Sequence, residues 1–264
     1  MPKPLIFTSI SKAGGASKTT LAVNLAYEWS LRGYSVGIID LDSNHSIEEF
    51  VGIAPENDPA FTSLALFDPK FKGEYNFHQI LGSNKVFLLQ GHDEIEHLAE
   101  SLYSRKLREF SLRKILQKYP LNFDLLIFDL PGGYDLITDN VLSVCTHLLI
   151  PVHIGVKTLS VSKLIDRVFQ GFEELELNPE PKILGLIPTK YDTSSSTHRE
   201  VYAALQEIAI SLDFKCYPPQ RYWRNFERAA MQGKALKQLV SNDPMGQVFA
   251  AVIDDLVKDF QLIS

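Results

Sequence analysis

The chain has 264 residues, of which 45% are hydrophobic, and this is ample for a buried core. Its formal net charge of -6 argues against a protein that coats nucleic acid with its whole surface. Two isolated cysteines exclude a disulfide framework, and no apolar run approaches the ~20 residues of a membrane-spanning helix, so we expect a cytoplasmic protein.

Short apolar runs alternate with longer stretches of helical periodicity along the whole chain. The predicted strands are residues 4–9, 35–40, 86–90, 125–129, 147–152 and 183–189, and the predicted helices are residues 18–32, 94–118, 159–175, 196–211 and 245–260. Residues 52–82 contain three prolines and are predicted to form an irregular connection with short helices. This order predicts one domain over residues 1–264, an α/β fold with a doubly wound, mostly parallel sheet flanked by helices.

A phosphate-binding loop is predicted between the first strand and the first helix. The segment KAGGASKTT, from Lys12 to Thr20, is close to the pattern G-x-x-x-x-G-K-[ST], although Lys12 and Ser17 stand where the pattern has glycine. In such a loop the backbone N–H groups surround phosphate oxygens, and the helix directs its positive end at them. The predicted nucleotide contacts are Gly14, Gly15, Ala16, Ser17, Lys18, Thr19 and Thr20.

Three carboxylates are predicted to lie beside this loop. Asp40 and Asp42 end the strand segment GIIDLD, and Asp129 ends the segment LLIFD. The carboxyl ends of parallel strands open onto one edge of a sheet, which is also the edge of the phosphate loop. The three side chains therefore predict a magnesium and water environment next to Lys18 and Thr19, where Lys18 neutralises the β and γ phosphates of ATP and Thr19 offers its hydroxyl to Mg²⁺.

Together the segments KAGGASKTT, GIIDLD and IFDLPGG resemble the ParA and MinD family, P-loop ATPases with a deviant Walker A loop. The resemblance implies an ATP-bound homodimer, in which Asp40 holds Mg²⁺ through water, Asp42 orients the attacking water and Asp129 is the Walker B carboxylate. The later segments ILGLIPTKYD and PPQRYWRNFERAAMQGKAL are similar to the family's segments around the adenine. They imply further nucleotide contacts at Thr189, Lys190, Pro218 and Pro219.

One position departs from the family pattern. A second lysine, which reaches the partner's phosphates, belongs five residues before Lys18, but this chain has Ala13 there. Lys157, just past the fifth predicted strand, is the expected catalytic replacement, because charge on the transferred phosphoryl group is usually met by a cation; Lys12 is the weaker candidate. A missing lysine with a later substitute is similar to the McdA branch of the family, which positions carboxysomes.

The partner surface is predicted from charge. Residues 221–240 contain five basic residues and one acid, a local charge of +4. We expect them to bind the phosphates of double-stranded DNA without sequence preference, so that the dimer associates with the nucleoid; they are Arg221, Arg224, Arg228, Lys234 and Lys237. The last predicted helix has three aspartates against Lys258, so anionic lipid should repel it, and we expect a core-packing helix and no membrane partner.

On this interpretation ATP assembles a DNA-bound homodimer, and a McdB-like adaptor protein stimulates hydrolysis and release, which distributes a cargo such as carboxysomes. A plasmid or chromosome partition ParA ATPase is the alternative with the same mechanism. An ATP-dependent biosynthetic ligase on the same scaffold is the alternative of another class. An iron-sulfur reductase is disfavoured, because neither Cys145 nor Cys216 has the sequence context of a cluster ligand.

Overall fold

A computed structural model describes residues 4–12, 14–155, 161–241 and 244–263. Its sheet has the order β3-β4-β2-β5-β1-β6-β7-β8. Strand β3 is antiparallel to β4, and the other neighbouring strands are parallel. The strands are β1 (Leu5–Ser9), β2 (Val36–Asp40), β3 (His78–Gln79), β4 (Val86–Leu89), β5 (Leu125–Asp129), β6 (His147–His153), β7 (Lys182–Thr189) and β8 (Lys215–Cys216).

Helices cover both faces of this sheet. The helices are α1 (Lys18–Leu31), α2 (Ser46–Val51), α3 (Leu98–Leu102), α4 (Ser111–Lys118), α5 (Leu136–Leu142), α6 (Val161–Glu174), α7 (Ser196–Ser211), α8 (Arg224–Met231), α9 (Leu236–Leu239) and α10 (Pro244–Ile263). Short 3-10 helices span Pro59–Phe61, Ser63–Phe67, Asp93–His97 and Arg108–Phe110. The doubly wound α/β class predicted from the apolar strands is therefore confirmed.

Two hydrophobic layers hold the helices to the sheet. On one face α1 packs against α10, where the Trp29 and Phe260 rings meet edge to face at 5.6 Å. On the other face α5, α6 and α7 contribute buried side chains such as Val141, Val168 and Leu205. Strands β2 and β5 are buried at every position, because parallel strands between two helix layers have no solvated face.

The predicted helix over residues 94–118 is wrong. This segment forms two short α-helices and two 3-10 helices, and Leu107 adopts a left-handed φ of 51° between them. Tertiary hydrogen bonds take over backbone groups that a continuous helix would use. Asn140 accepts from the Leu112 N–H and donates to the Arg108 carbonyl, so α4 begins where α5 supplies its partner.

The other predicted elements are placed near their expected bounds, and the connection over residues 52–82 contains short 3-10 helices as expected. Strands β3 and β8, of two residues each, and the short helices α2, α5, α8 and α9 were not predicted. Helix α10 is a packing helix as expected: Val252 and Leu256 are fully buried, while its aspartates pair with Arg32, Lys215 and Lys182. Within the described ranges no helix is both long and apolar enough to cross a membrane.

Candidate active site

The phosphate loop joins β1 to α1 at the carboxyl edge of the sheet. Gly15 has a φ of 74°, a conformation that a glycine adopts without strain, and Ser17 adopts a similar left-handed φ of 68°. The Lys18 side chain is buried, and its Nζ donates to Ser11 Oγ at 3.1 Å. Burial lowers the pKa of Lys18, against the opposing effect of the Asp129 and Asp42 carboxylates. The loop therefore holds its lysine close to two anions in a poorly solvated place.

Thr19 and Asp129 are brought into direct contact at the start of α1. The Thr19 hydroxyl donates to Asp129 Oδ2 at 2.7 Å, while the buried Asp129 Oδ1 has no hydrogen-bond partner in the described part of the chain. Burial raises the pKa of Asp129 to about 7, although the Thr19 hydroxyl and the Lys18 charge lower it. An incompletely satisfied buried carboxylate next to a hydroxyl is a site for a cation.

Asp40 and Asp42 lie beside this pair, because β2 and β5 are neighbours and Asp40 is in register with Asp129. Asp40 Oδ1 accepts from the Asp42 N–H at 2.9 Å. Burial raises the pKa of Asp40 well above its ordinary value, and the Asp129 and Glu48 charges raise it further. Asp42 is half-buried, and its Oδ1 accepts from the backbone and side chain of Asn44.

Glu48 on α2 is a member of this cluster that sequence reasoning missed. It is fully buried, its Oε1 accepts from the Gly91 N–H at 2.9 Å, and its Oε2 receives no hydrogen bond from a described residue. Its sequence signal was weak, because SIEEFV is typical of an exposed acidic helix turn. A buried glutamate with an unsatisfied oxygen therefore adds a third carboxyl group next to Asp40 and Asp129.

These residues fit Mg²⁺ as the companion of a nucleotide. Asp40 Oδ2 and Asp129 Oδ1 are both buried and unpaired among the described residues, and the Thr19 hydroxyl is the hard oxygen ligand that Mg²⁺ accepts. In the described ranges no three His, Cys, Asp or Glu side chains are arranged to enclose a metal by themselves. Mg²⁺ characteristically keeps several waters and uses phosphate oxygens as ligands beside one or two carboxylates.

The two later segments predicted to contact the nucleotide lie next to each other, and Lys190 lies near the phosphate loop. The Tyr191 N–H donates to the Gln220 carbonyl and the Gln220 N–H donates to the Pro188 carbonyl, so Pro218 and Pro219 lie next to the end of β7. A Cβ atom built on Gly15 would lie 3.6 Å from Lys190 Nζ. Thr189 is fully buried, and its Oγ1 has no hydrogen-bond partner among the described residues.

Ala13 and Lys157, on which the predicted departure from the family pattern depends, lie outside the described residues. The predicted lysine replacement therefore stays a prediction. Lys12 lies within the described ranges and is exposed.

The basic segment lies on α8, α9 and the loop before them. Arg221, Arg224, Arg228 and Lys234 are exposed, whereas Lys237 forms a 2.9 Å ion pair with Glu28, which is buried on α1. The Leu236 N–H also donates to Asn24 of α1 at 2.7 Å. The Lys237 ion pair therefore links α9 to α1, the helix that follows the phosphate loop. The exposed basic surface consists of the other four residues.

The chain is similar to known proteins in sequence and in fold. The sequence model of the AAA_31 family, described as an AAA domain, matches residues 6–180. The chromosome-partitioning ATPase Soj of Treponema pallidum is 26% identical over 208 residues, which are 76% of each chain. The McdA of Cyanothece, solved as an ATP complex of a variant, is similar in fold, with a TM-score of 0.85, 24% identity and 97% of each chain covered.

An enzyme of another class has the same fold. Cobyrinic acid a,c-diamide synthase of Mycobacterium smegmatis, solved with an ATP analog and magnesium, has a TM-score of 0.77 and 18% identity, with 98% of this chain and 96% of that one covered. At that identity the likeness concerns the fold alone.

Proposed function

The chain belongs to the AAA_31 family, and from that premise we propose that it is an ATPase that works as a positioning switch. Its fold and its sequence relatives are those of ParA-like partitioning and positioning ATPases, as the resemblance to the ParA and MinD family predicts. The observation that carries the proposal is the convergence of Lys18, Thr19 and the Asp129 carboxylate at one edge of the sheet. Such a group of residues is suited to a nucleoside triphosphate with Mg²⁺.

Each residue of the site has a distinct proposed role. Loop N–H groups bind the phosphates, and Lys18 leaves Ser11 to neutralise the β and γ oxygens. Bound Mg²⁺ would be held by the Thr19 hydroxyl and, through water, by Asp40 and Asp129, where it would offset phosphate charge. Asp42 is half-buried beside them, and its carboxylate orients the water that attacks the γ-phosphorus.

Transfer of the phosphoryl group also requires a cation that stabilises the negative charge developing on this group in the transition state. We assign this role to Lys157, supplied by the partner subunit of an ATP-bound homodimer, because Ala13 cannot perform it. On this proposal the dimer forms only with ATP, and hydrolysis separates it.

The exposed basic surface is the proposed DNA-binding surface of the dimer. Arg221, Arg224, Arg228 and Lys234 carry four positive charges on one segment, and two such surfaces in one dimer would raise the avidity for a single DNA duplex. Contacts with phosphates alone bring affinity without sequence preference. An adaptor protein that stimulates hydrolysis would release the subunits and so distribute a cargo, such as carboxysomes, over the nucleoid.

The experiment that tests this proposal is substitution of the water-orienting residue. In Asp42→Ala, ATP binding should persist while phosphate release falls by about 10²-fold or more, as for loss of an orienting group in phosphoryl transfer. ATP should then hold the variant as a dimer in light scattering. Asp254→Ala is the matched control, because that aspartate pairs with Arg32 away from the site and should leave hydrolysis unchanged. Hydrolysis by Asp42→Ala at the wild-type rate would contradict the assigned role.

A partition ATPase would use the same switch with a different cargo, and the likeness to Soj favours it as the second candidate. In a partition system the adaptor itself binds a specific DNA site. Purification of the protein that stimulates hydrolysis by this chain, followed by a test of its DNA binding, distinguishes the two: sequence-specific binding supports partition, and its absence supports another cargo.

A further inference from the structure

The end of β7 brings an additional cation to the phosphate loop. Lys190 follows Thr189 at the carboxyl edge of the sheet, and its Nζ lies 3.6 Å from the position of a Cβ built on Gly15. Gly15 and Lys190 are 175 positions apart in the sequence, so this proximity arises only from the fold. The half-buried Lys190 side chain therefore borders the same loop as Lys18, from another strand of the same subunit.

The backbone fixes Lys190 in place. Its φ is 56°, a left-handed conformation that is uncommon for residues other than glycine and concentrates at functional sites. Both neighbours are tied down: the Thr189 carbonyl accepts from the Ile154 N–H at 3.1 Å, and the Tyr191 N–H donates to the Gln220 carbonyl at 3.0 Å. The backbone therefore fixes the position from which the Lys190 side chain extends beside the phosphate loop.

The charge on Lys190 is not neutralised by the described part of the protein. Among the described residues it has neither a carboxylate partner nor a hydrogen-bond acceptor, and a titratable neighbour that senses its charge is itself cationic when protonated. That neighbour is His153 at the end of β6, whose pKa is lowered by partial burial and further by the charges of Lys190 and His198. A half-buried ammonium without a counter-ion, beside a loop of backbone N–H groups, favours an anion.

We propose that Lys190 is a second phosphate-binding cation of the nucleotide site, supplied within the same subunit. Its ligand is the polyphosphate of the bound nucleotide, and the ammonium has three donors for phosphate oxygens at the Gly15 end of the loop. The inference rests on the proposed nucleotide site and assigns to Lys190 a contact with phosphate and not with the base. It differs from the role given to Lys157, because it acts in the monomer and does not depend on a partner subunit.

Titration calorimetry of Lys190→Met with ATP, ADP and adenosine, each with Mg²⁺, tests the assignment. Methionine keeps the apolar stem of lysine and lacks only the terminal ammonium, so the charge and its hydrogen bonds to the ligand are what is lost. We expect ATP and ADP to bind about tenfold more weakly, as for loss of one charge-assisted hydrogen bond, and adenosine affinity to be unchanged. Lys190→Arg should retain ATP affinity within about threefold, which separates charge from any disturbance of the backbone.

Lys258→Met is the matched control. That exposed lysine lies on α10 next to Asp259, which contacts His147 at the opposite edge of the sheet, so the same charge change there should leave ATP affinity unaltered. Unchanged ATP affinity in Lys190→Met, or an equal loss for adenosine, would overturn the assignment. Failure of the wild-type chain to bind ATP would instead contradict the proposed function, so the two failures are distinguishable.

Discussion

Substitution of Asp129 by asparagine should stabilise the nucleotide-free protein. Burial raises the pKa of this carboxyl from 3.8 to about 7, which means that the folded state disfavours the charged form. The contribution of the protonated Asp129 carboxyl to the free energy of unfolding is fully present below pH 3.8. It is lost as the pH rises through about 7. At ~1.4 kcal/mol for each pKa unit, the cost of the charged form reaches about 4 kcal/mol at pH 8.

The gain in stability from Asp129→Asn should therefore grow by about 3 kcal/mol between pH 5 and pH 8. Urea unfolding followed by circular dichroism at the two pH values, without nucleotide or Mg²⁺, measures it. Addition of Mg²⁺ and ATP should reverse the order, since the wild-type carboxylate then faces a cation while the asparagine does not. The unfavourable free energy of the charged Asp129 carboxylate in the nucleotide-free protein would thus be offset when the cation binds.

Asp259→Asn provides a control of opposite sign. Burial raises the pKa of Asp259, but hydrogen bonds from Lys182 and His147 outweigh burial and lower it. Its charged form therefore stabilises the fold above pH 3.8, and the asparagine variant should be less stable than wild type at pH 8. A gain for Asp129→Asn that does not change with pH, or a loss at pH 8, would refute the electrostatic account of the site.

Three further predictions concern the basic surface, the dimer and the packing of α6. Arg224→Glu combined with Lys234→Glu should abolish co-sedimentation with DNA and leave ATP-dependent dimerisation intact, because both side chains are exposed and neither is assigned to the nucleotide site. Lys157→Ala should bind ATP but form no ATP-dependent dimer in light scattering. Gly171→Ala should lower the free energy of unfolding by about 1–3 kcal/mol, since the added Cβ would lie 1.9 Å from the Tyr134 hydroxyl oxygen.

Each of these has a control and a contradicting result. Lys258→Glu, an exposed change on α10, should leave DNA binding unchanged, and persistent DNA binding by the double variant would remove the basic surface from the account. A Lys157→Ala chain that still dimerises with ATP would show that the cation comes from elsewhere. For Gly171→Ala, combination with Tyr134→Phe should restore part of the stability, because the phenylalanine lacks the clashing oxygen.

The part of the site that local sequence determines was predictable. Lys18 and Thr19 belong to one contiguous pattern, and Asp40 and Asp129 end apolar segments whose parallel pairing places them together. The general rule that the carboxyl ends of parallel strands open onto one edge is sufficient to place these residues together from the sequence alone.

Long-range packing determined what the sequence did not reveal. The resemblance implied a nucleotide contact at Lys190, but no spacing in the sequence indicates how close its ammonium lies to Gly15, which depends on the order of β1, β6 and β7. Lys237 is a further example, since its charge in a basic segment favoured DNA binding, whereas the ion pair with the buried Glu28 arises only from the fold. Helical periodicity over residues 94–118 was likewise overridden by the hydrogen bonds of Asn140.

Binding of ATP to the phosphate loop is the central claim, and titration calorimetry with Mg²⁺ and ATP tests it most directly. We expect the wild-type chain to bind one ATP per subunit and Lys18→Ala to bind none, with unchanged folding by circular dichroism. The buried Lys18 ammonium is the cation that neutralises the phosphates. In Lys18→Ala the phosphates would lie near the Asp129 and Asp42 carboxylates without that positive charge. Equal ATP affinity in Lys18→Ala and wild type would contradict the account.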